Sequence, residues 1–456
     1  MVDSQLAIKT QTFYPDDGGD LLKIMCQAKE NSLRVKHYGG SYPVSSEGAE
    51  VLLSLNRMKR IVWYDPDQRT ITVEGGITLG DLVKRMEYIN YTVELYGIIP
   101  NMTLMDAISV GLIGSSGTVA RCLKSCHVLQ SDGLLLEWQW PDTDSDLDLE
   151  HDRSFSGDAR VTGPNLNTLV CGLGVVGVVT AATLHCIPMH FAQEVTYECS
   201  IHDIFENLHK VFEGLYTNLT WYPLLNKAIV TKNYSVRIHQ SYHQPWWVEW
   251  QERFFRQIHW IVYRLSPLLS WYFPSFAPFL SKTQSDLMLK THSYRNHFCF
   301  RPQIIVSVSA YCRGIKWALP VDSLRNAMKE IEEWSEGNPQ LCSTPIIISL
   351  QSHQSSEVHQ PYLCPYTEKK TCTLWTDWFN NKCISKTFSV GMAEFEAILQ
   401  TNGGRKCWSV GPVFASPLIA QMYPGYRQWA RNRTVLDPSN MFRSAYVEGE
   451  LFIDKY

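Results

Sequence analysis

The spacing of apolar positions changes several times along the chain, and each change marks an element. Between Asp20 and Asn31, Leu21, Leu22, Ile24, Met25 and Ala28 recur at helical spacing, which predicts an amphipathic helix. Leu33 to Lys36 predicts a short strand running into Gly39-Gly40. Two β-branched runs, Ile61-Val62-Trp63-Tyr64 and Thr70-Ile71-Thr72-Val73-Glu74, flank Asp65-Pro66-Asp67 and predict a hairpin. Thr78 is placed to cap a helix over Leu79 to Ile89, because its hydroxyl can accept from an orphan N–H of the first turn. Cys126 to Leu129 and Leu134 to Trp140 flank Ser131-Asp132-Gly133, a second hairpin signal. Further along, Ile304 to Ala310 and Pro345 to Leu350 read as strands, Val321 to Trp334 as a helix, and Asp437-Pro438-Ser439-Asn440 as a turn.

Two stretches depart from this alternation. Pro141 to Arg160 gathers Asp142, Asp144, Asp146, Asp148, Glu150 and Asp152, which predicts a solvated loop. A calcium loop starting at Asp142 requires glycine at its sixth position, where Leu147 stands. Trp246 to Leu280 is crowded with bulky apolar residues, interrupted by Arg253, Arg256, His259 and Arg264 and broken by Pro267, Pro274 and Pro278. It holds no clean run of about 20 apolar residues, so a spanning helix is not expected. Two readings stand: a segment lying at a membrane interface, or a buried helical pair in a second domain.

Composition narrows the class. With 456 residues the chain is too long for one small core, and two domains are expected. Hydrophobic residues are 45% and charged residues 19%, an ordinary globular balance. The formal net charge of −4 offers no basic surface for nucleic acid, so a small molecule or a protein is the expected partner. The 13 cysteines lack metal-ligand spacing, since no second pair with histidines complements Cys122 and Cys126; no metal is expected, and reduced, mostly buried thiols are. Met1 to Thr12 has no apolar run, so no cleaved signal peptide is expected, and the sequons at Asn101 and Asn218 are read as silent. The expected location is an intracellular membrane surface or the cytoplasm.

Two glycine-rich places invite a nucleotide. Gly172-Leu173-Gly174-Val175-Val176-Gly177 fits G-x-G-x-x-G, and Glu194 stands beyond it at a plausible distance. The dinucleotide fingerprint needs a helix directly after it, to receive the pyrophosphate. Here Val178-Val179-Thr180 and Thr183 to Pro188 are mostly strand formers, so a nicotinamide Rossmann fold is rejected. The second place is Tyr38-Gly39-Gly40-Ser41-Tyr42-Pro43 after a strand, where small residues let backbone N–H groups converge on an anion. Taken alone it is an ordinary tight turn.

The order of the motifs decides. After that turn come Thr72 to Leu82 with Gly75-Gly76, then Gly97-Ile98-Ile99-Pro100 with Met102-Thr103-Leu104, Gly111 to Gly117, and Gly172 to Pro188. This succession resembles the FAD-binding half of the vanillyl-alcohol-oxidase type flavoproteins. Lys316-Trp317-Ala318-Leu319-Pro320, Gly403 to Trp408, and Leu436 to Phe442 with Ala445-Tyr446 narrow the resemblance to the L-gulonolactone oxidase and D-arabinono-1,4-lactone oxidase family. The resemblance implies an α+β protein. A two-subdomain FAD-binding domain of the PCMH type would span 1–190, and an α+β cap with a mostly antiparallel sheet 191–456, returning to the FAD domain at its C-terminus. The cofactor implied is FAD and the substrate a sugar lactone, oxidised with oxygen or another acceptor. Gly39, Gly40 and Ser41 would meet the pyrophosphate. Thr103, Ser109, Gly111, Gly114, Ser115 and Gly117 would line the same channel, Gly174, Gly177, Val178 and Val179 would pack on the cofactor through main chain, and Trp408 would border it.

The family's reactive residues are replaced. Tyr42 stands where many relatives carry the histidine that bonds the flavin, so FAD is expected to be non-covalent. Ile347 and Ser349 fall where the Glu-x-Arg pair is expected. Cys407 and Val410 replace the ends of His-Trp-Ala-Lys, and Lys316 replaces an acid. His353, His359 and Lys406 are nearby substitutes, each otherwise read as a surface residue, and Cys407 as an inert thiol. Catalytic residues are therefore unassigned. Besides lactone oxidation, a binding protein without turnover and a flavoprotein acting on a lipid remain open.

Overall fold

A computed structural model describes residues 10–37, 49–95, 100–114, 117–141, 164–211, 216–236, 246–291, 295–298, 312–351, 361–366, 370–379, 385–408 and 419–443. The expected helix over Asp20 to Asn31 runs Gly18–Glu30, capped by Asp17, whose carboxylate accepts from the N–H groups of Gly19 and Asp20. The strand expected over Leu33 to Lys36 shifts to Val35–His37. The cause is local: Ser32 adopts φ +54° and Leu33 N–H donates back to Ala28 O at 2.8 Å, so these residues close the helix before the strand begins. Thr78 caps Leu79–Glu87 through its hydroxyl and Asp81 N–H. The acidic stretch 142–160 and the strand expected at Ile304 to Ala310 lie outside the described residues.

Two larger sheets, with two short two-stranded pairs beside them, make up the N-terminal half among the described residues. A three-stranded parallel sheet is ordered Gln11–Phe13, Val51–Leu53, Val35–His37. A five-stranded antiparallel sheet is ordered Leu135–Gln139, Leu123–Leu129, Val178–His185, Thr70–Glu74, Ile61–Asp65. Both expected hairpins are in it. The strand Val178–His185 begins directly after the G-x-G-x-x-G stretch, so the chain continues from that loop as strand and not as helix.

The second half is one eight-stranded antiparallel sheet: Arg295–Phe298, Phe191–Ser200, Lys227–Val236, Tyr216–Tyr222, Ile346–Gln351, Thr371–Phe379, Cys312–Pro320, Arg405–Lys406. Val321–Gly337 covers it with Leu324, Ala327, Met328 and Ile331, one helical stripe, beside Phe395 and Leu399 of Ser385–Thr401. Asn218 is buried in this sheet, which keeps its sequon from solvent. The helices Trp246–Tyr272 and Ala277–Thr291 dock on it, with Tyr263 OH donating to Asp377 at 3.0 Å.

The two halves have separate cores, but the chain crosses back. Leu363, Cys407, Trp408, Tyr423, Trp429 and Phe442 are buried in the N-terminal core. The Asp437 carboxylate fastens this return, accepting from Met441 N–H at 2.9 Å and Phe442 N–H at 3.0 Å.

Candidate functional site

Most of the sequence-predicted channel residues are described, and hydrogen bonds draw them together. Thr103 Oγ1 accepts from Asp106 N–H at 3.2 Å, capping the wholly buried helix Leu104–Ser109. Met105 N–H donates to Gly75 O at 2.9 Å, seating that helix against the end of Thr70–Glu74. Leu173 N–H donates to Ser109 O at 2.8 Å and Cys171 N–H to Ile108 O at 3.1 Å, which carries the second glycine loop onto the first. Gly114 pairs with Gly117 in a two-stranded hairpin. Val178 and Val179 pair with Leu129 and Val128 and are buried. Gly39, Gly40, Ser41, Tyr42 and Ser115 lie outside the described residues, as do Val410, His353 and His359.

The glycines have a structural duty before any ligand is considered. Gly174 has φ +72°, and a Cβ there would stand 2.1 Å from His37 Nε2. Gly111 has φ +56°, and its Cβ would stand 2.1 Å from Cys171 Sγ. Both positions exclude a side chain because the chain's own neighbours already fill that space. At Gly177 the obstacle is Val128.

Four residues at this place escaped the sequence reading: Lys36, His37, Asp106 and Thr118. Burial pushes the Lys36 ammonium down to about 8, with the Asp106 carboxylate pulling it back up. Burial pushes His37 down to about 4, and neither ring nitrogen has a hydrogen-bond partner of good geometry among the described residues. Thr118 Oγ1 is likewise buried without one. Lys36 and His37 lie just before Gly39-Gly40 in the sequence, and that adjacency was the available signal.

The C-terminal half closes on the same place. Lys316 Nζ donates to Ile113 O at 2.6 Å, and Cys407 N–H donates to Lys316 O at 2.9 Å. Burial pushes the Lys316 ammonium down, while Cys407 acts in the opposite sense. Burial pushes the Cys407 thiol up to about 12, with Lys316 lowering it, so Cys407 is an inert thiol. Trp408 Nε1 donates to Leu363 O at 2.7 Å, and its ring lies 5.0 Å from that of Tyr423. Lys406 is not a surface residue: it is buried and paired with Glu396 at 3.0 Å, which removes it as a substitute for the missing charges. Ile347 pairs with Thr220 and Trp375 inside the sheet, and Ser349 Oγ donates to Asn218 Oδ1 at 2.6 Å. Among the described cysteines all are free, and only Cys26 and Cys199 are not buried.

This arrangement fits a flavin nucleotide. His37 and Thr118, buried and without a hydrogen-bond partner of good geometry among the described residues, adjoin glycine-rich loops and the half-buried Lys36 ammonium. Residues 182–449 match the family described as D-arabinono-1,4-lactone oxidase, and residues 10–139 match the FAD binding domain family. The chain belongs to the D-arabinono-1,4-lactone oxidase family. Its cofactor is FAD. L-gulonolactone oxidase of Bos taurus is 21% identical over 450 residues, covering 96% of this chain and 94% of that protein. L-gulono-1,4-lactone dehydrogenase of Mycobacterium tuberculosis is 20% identical over 458 residues, covering 97% and 96%. D-arabinono-1,4-lactone oxidase of Candida glabrata is 23% identical over 263 residues, covering 54% and 45%. Among solved structures, cholesterol oxidase from Brevibacterium sterolicum superposes with a TM-score of 0.71 at 12% identity, covering 97% of this chain and 94% of the other. That likeness concerns the fold alone.

Proposed function

We propose that this family member holds FAD without a covalent bond and oxidises an aldonolactone, passing electrons to oxygen or another acceptor. The observation that carries the reading is the seam between the halves, where Lys316 bonds the strand Ile113–Gly114 of the FAD half and Cys407 and Trp408 are buried in that half's core. Bound flavin supplies the acceptor for the hydride leaving the substrate's carbinol carbon. The chain supplies the rest. Gly39, Gly40 and Ser41 would hold the pyrophosphate through main-chain N–H groups. Thr103, Ser109, Gly111, Gly114, Ser115 and Gly117 would line the channel, Gly174, Gly177, Val178 and Val179 would present backbone to it, and Trp408 would border it. Tyr42 cannot form a histidyl link. Lys316 takes over the cationic role that Val410 cannot fill, stabilising negative charge as it develops.

A second reading, binding without turnover, is favoured by Ile347 and Ser349, neither of which is ionisable where a base and a cation are expected. Losing one such electrostatic contact costs about 100- to 1000-fold in rate. Purified protein carrying flavin absorbance that is released by acid precipitation supports both readings. Anaerobic bleaching of that flavin by gulono- or arabinono-lactone selects turnover, and a stable yellow protein across a lactone panel selects binding alone. A colourless protein that takes up no FAD overturns both.

A further inference from the structure

The helices Trp246–Tyr272 and Ala277–Thr291 are built inside out. Ser266, Ser270, Ser281, Gln284 and Ser285 are each 0% exposed. Gln284 Nε2 donates to Ser266 Oγ at 2.7 Å across the helix pair and to Ser343 O at 2.9 Å in the cap. Ser270 Oγ donates to Ser343 Oγ at 2.8 Å. The outer face carries Trp246, Trp250, Trp260, Tyr272, Phe276 and Phe279, with Trp246 at 80% and Phe279 at 64% exposure. Water drives the opposite arrangement, large apolar groups between helices and hydroxyls outside. A helix pair that keeps hydroxyl and amide groups inside, with Ser266, Ser270 and Gln284 Nε2 bonded there, and turns its rings outward is suited to lipid.

The pair does not cross a bilayer: among the described residues no helix is long and apolar enough to do so. Its charges place it at the interface. Residues 246–291 include Arg253, Arg256, Arg264, Lys282 and Lys290 against Glu249, Glu252 and Asp286, a net positive segment. The Arg264 guanidinium lies 4.6 Å from the Trp260 ring centre, and the Lys290 ammonium 5.5 Å from that of Phe255. Cations beside aromatic rings match the boundary between headgroups and acyl chains. A second copy docked on this face would set one positive segment against another, whereas anionic headgroups neutralise it.

We propose that this helix pair seats the protein on a lipid bilayer with anionic headgroups, lying in the plane of the interface with its aromatic face among the upper acyl carbons. The proposal is independent of the lactone reading, since it needs neither flavin nor turnover.

The test uses the full chain and vesicles of phosphatidylcholine with phosphatidylserine. Co-sedimentation and a blue shift of tryptophan emission are expected, with stronger quenching by lipids brominated near the headgroup end of the chain than near its terminus. Trp250→Ser, Trp260→Ser and Phe276→Ser combined should lower partitioning at least tenfold while circular dichroism and melting temperature hold. If that variant fails to fold, the brominated-lipid comparison on the natural chain decides by itself. Absence of vesicle binding by the natural chain overturns the proposal, as does partitioning that the triple variant leaves unchanged. So does a dimer that the same substitutions dissolve while vesicles fail to compete for it.

Discussion

Lys316 Nζ donates to the main-chain carbonyl of Ile113 at 2.6 Å, joining residues 203 positions apart and tying the cap sheet to the FAD half. The resemblance read from the sequence implies an acid at the position of Lys316 and a histidine at that of its neighbour Cys407. Lys316 is the basic side chain that bonds the FAD half at this seam, which is why the cationic role is proposed for it.

Lys316→Met should weaken the affinity of the bound flavin for sulfite about tenfold, roughly 1.4 kcal/mol, because the adduct is anionic. Lys316→Arg should retain most of that affinity. The flavin absorbance at 450 nm or so reports the titration. Equal sulfite affinity in all three proteins would leave Lys316 as a latch between the halves and nothing more.

Asp377 predicts a pH dependence of stability. Burial pushes its carboxyl up to about 6, against hydrogen bonds from Trp375 and Tyr263 that lower it. A folded pKa above the unfolded value of 3.8 gives stability that is present below about pH 4 and lost as the pH rises through about 6. Asp377→Asn removes the titration, so its stability relative to the natural chain should improve by up to about 3 kcal/mol between pH 4 and pH 7. Urea unfolding at the two pH values measures the difference, and parallel curves would contradict it.

Gly174→Ala should destabilise the FAD half by about 1–3 kcal/mol through strain at positive φ, with the clash against His37 added to it. Because His37 leads into the Gly39-Gly40 turn, flavin content should fall as well. Thermal melts and the ratio of flavin to protein absorbance are the readouts. A variant with unchanged melting and full flavin would show that the loop yields easily.

Asp437→Ala should cost about 3–5 kcal/mol. It withdraws the acceptor from the N–H groups of Met441 and Phe442 and leaves the buried Arg433 guanidinium without a carboxylate 3.8 Å away. The loss should appear in the FAD half, whose core Met441 and Phe442 complete. Limited proteolysis is expected to release the C-terminal segment first, and a protected C-terminus would refute this.

The local signals that the sequence carried were those with a mechanism inside a few residues. Thr78 capping its helix, the turn around Asp65-Pro66-Asp67, and the strand formers after Gly177 needed no distant partner. Rejecting the nicotinamide fold was equally local, because Val178, Val179 and Thr180 continue the chain as strand and not as helix. The order of glycine motifs identified the family for a similar reason, since backbone-lining residues must be small wherever the rest of the chain goes.

What only the tertiary structure decided depended on partners far away in sequence. Lys406 is buried because Glu396 lies beside it, and Cys407 acquires meaning only from Lys316. Gly174 proved necessary for His37, which lies 137 positions away by subtraction of their numbers, before any cofactor is invoked. The aromatic run from Trp246 admitted two readings because helical spacing shows that a face exists and not which way it turns. Packing against the cap settled that orientation by placing Ser266, Ser270 and Gln284 inside, where Ser343 bonds Ser270 and Gln284 and Gln284 bonds Ser266, and leaving the rings outside. Small residues and caps are legible from sequence because their constraints are local. Charge pairing and the facing of a helix are not, because burial and partner distance exist only once the chain has folded.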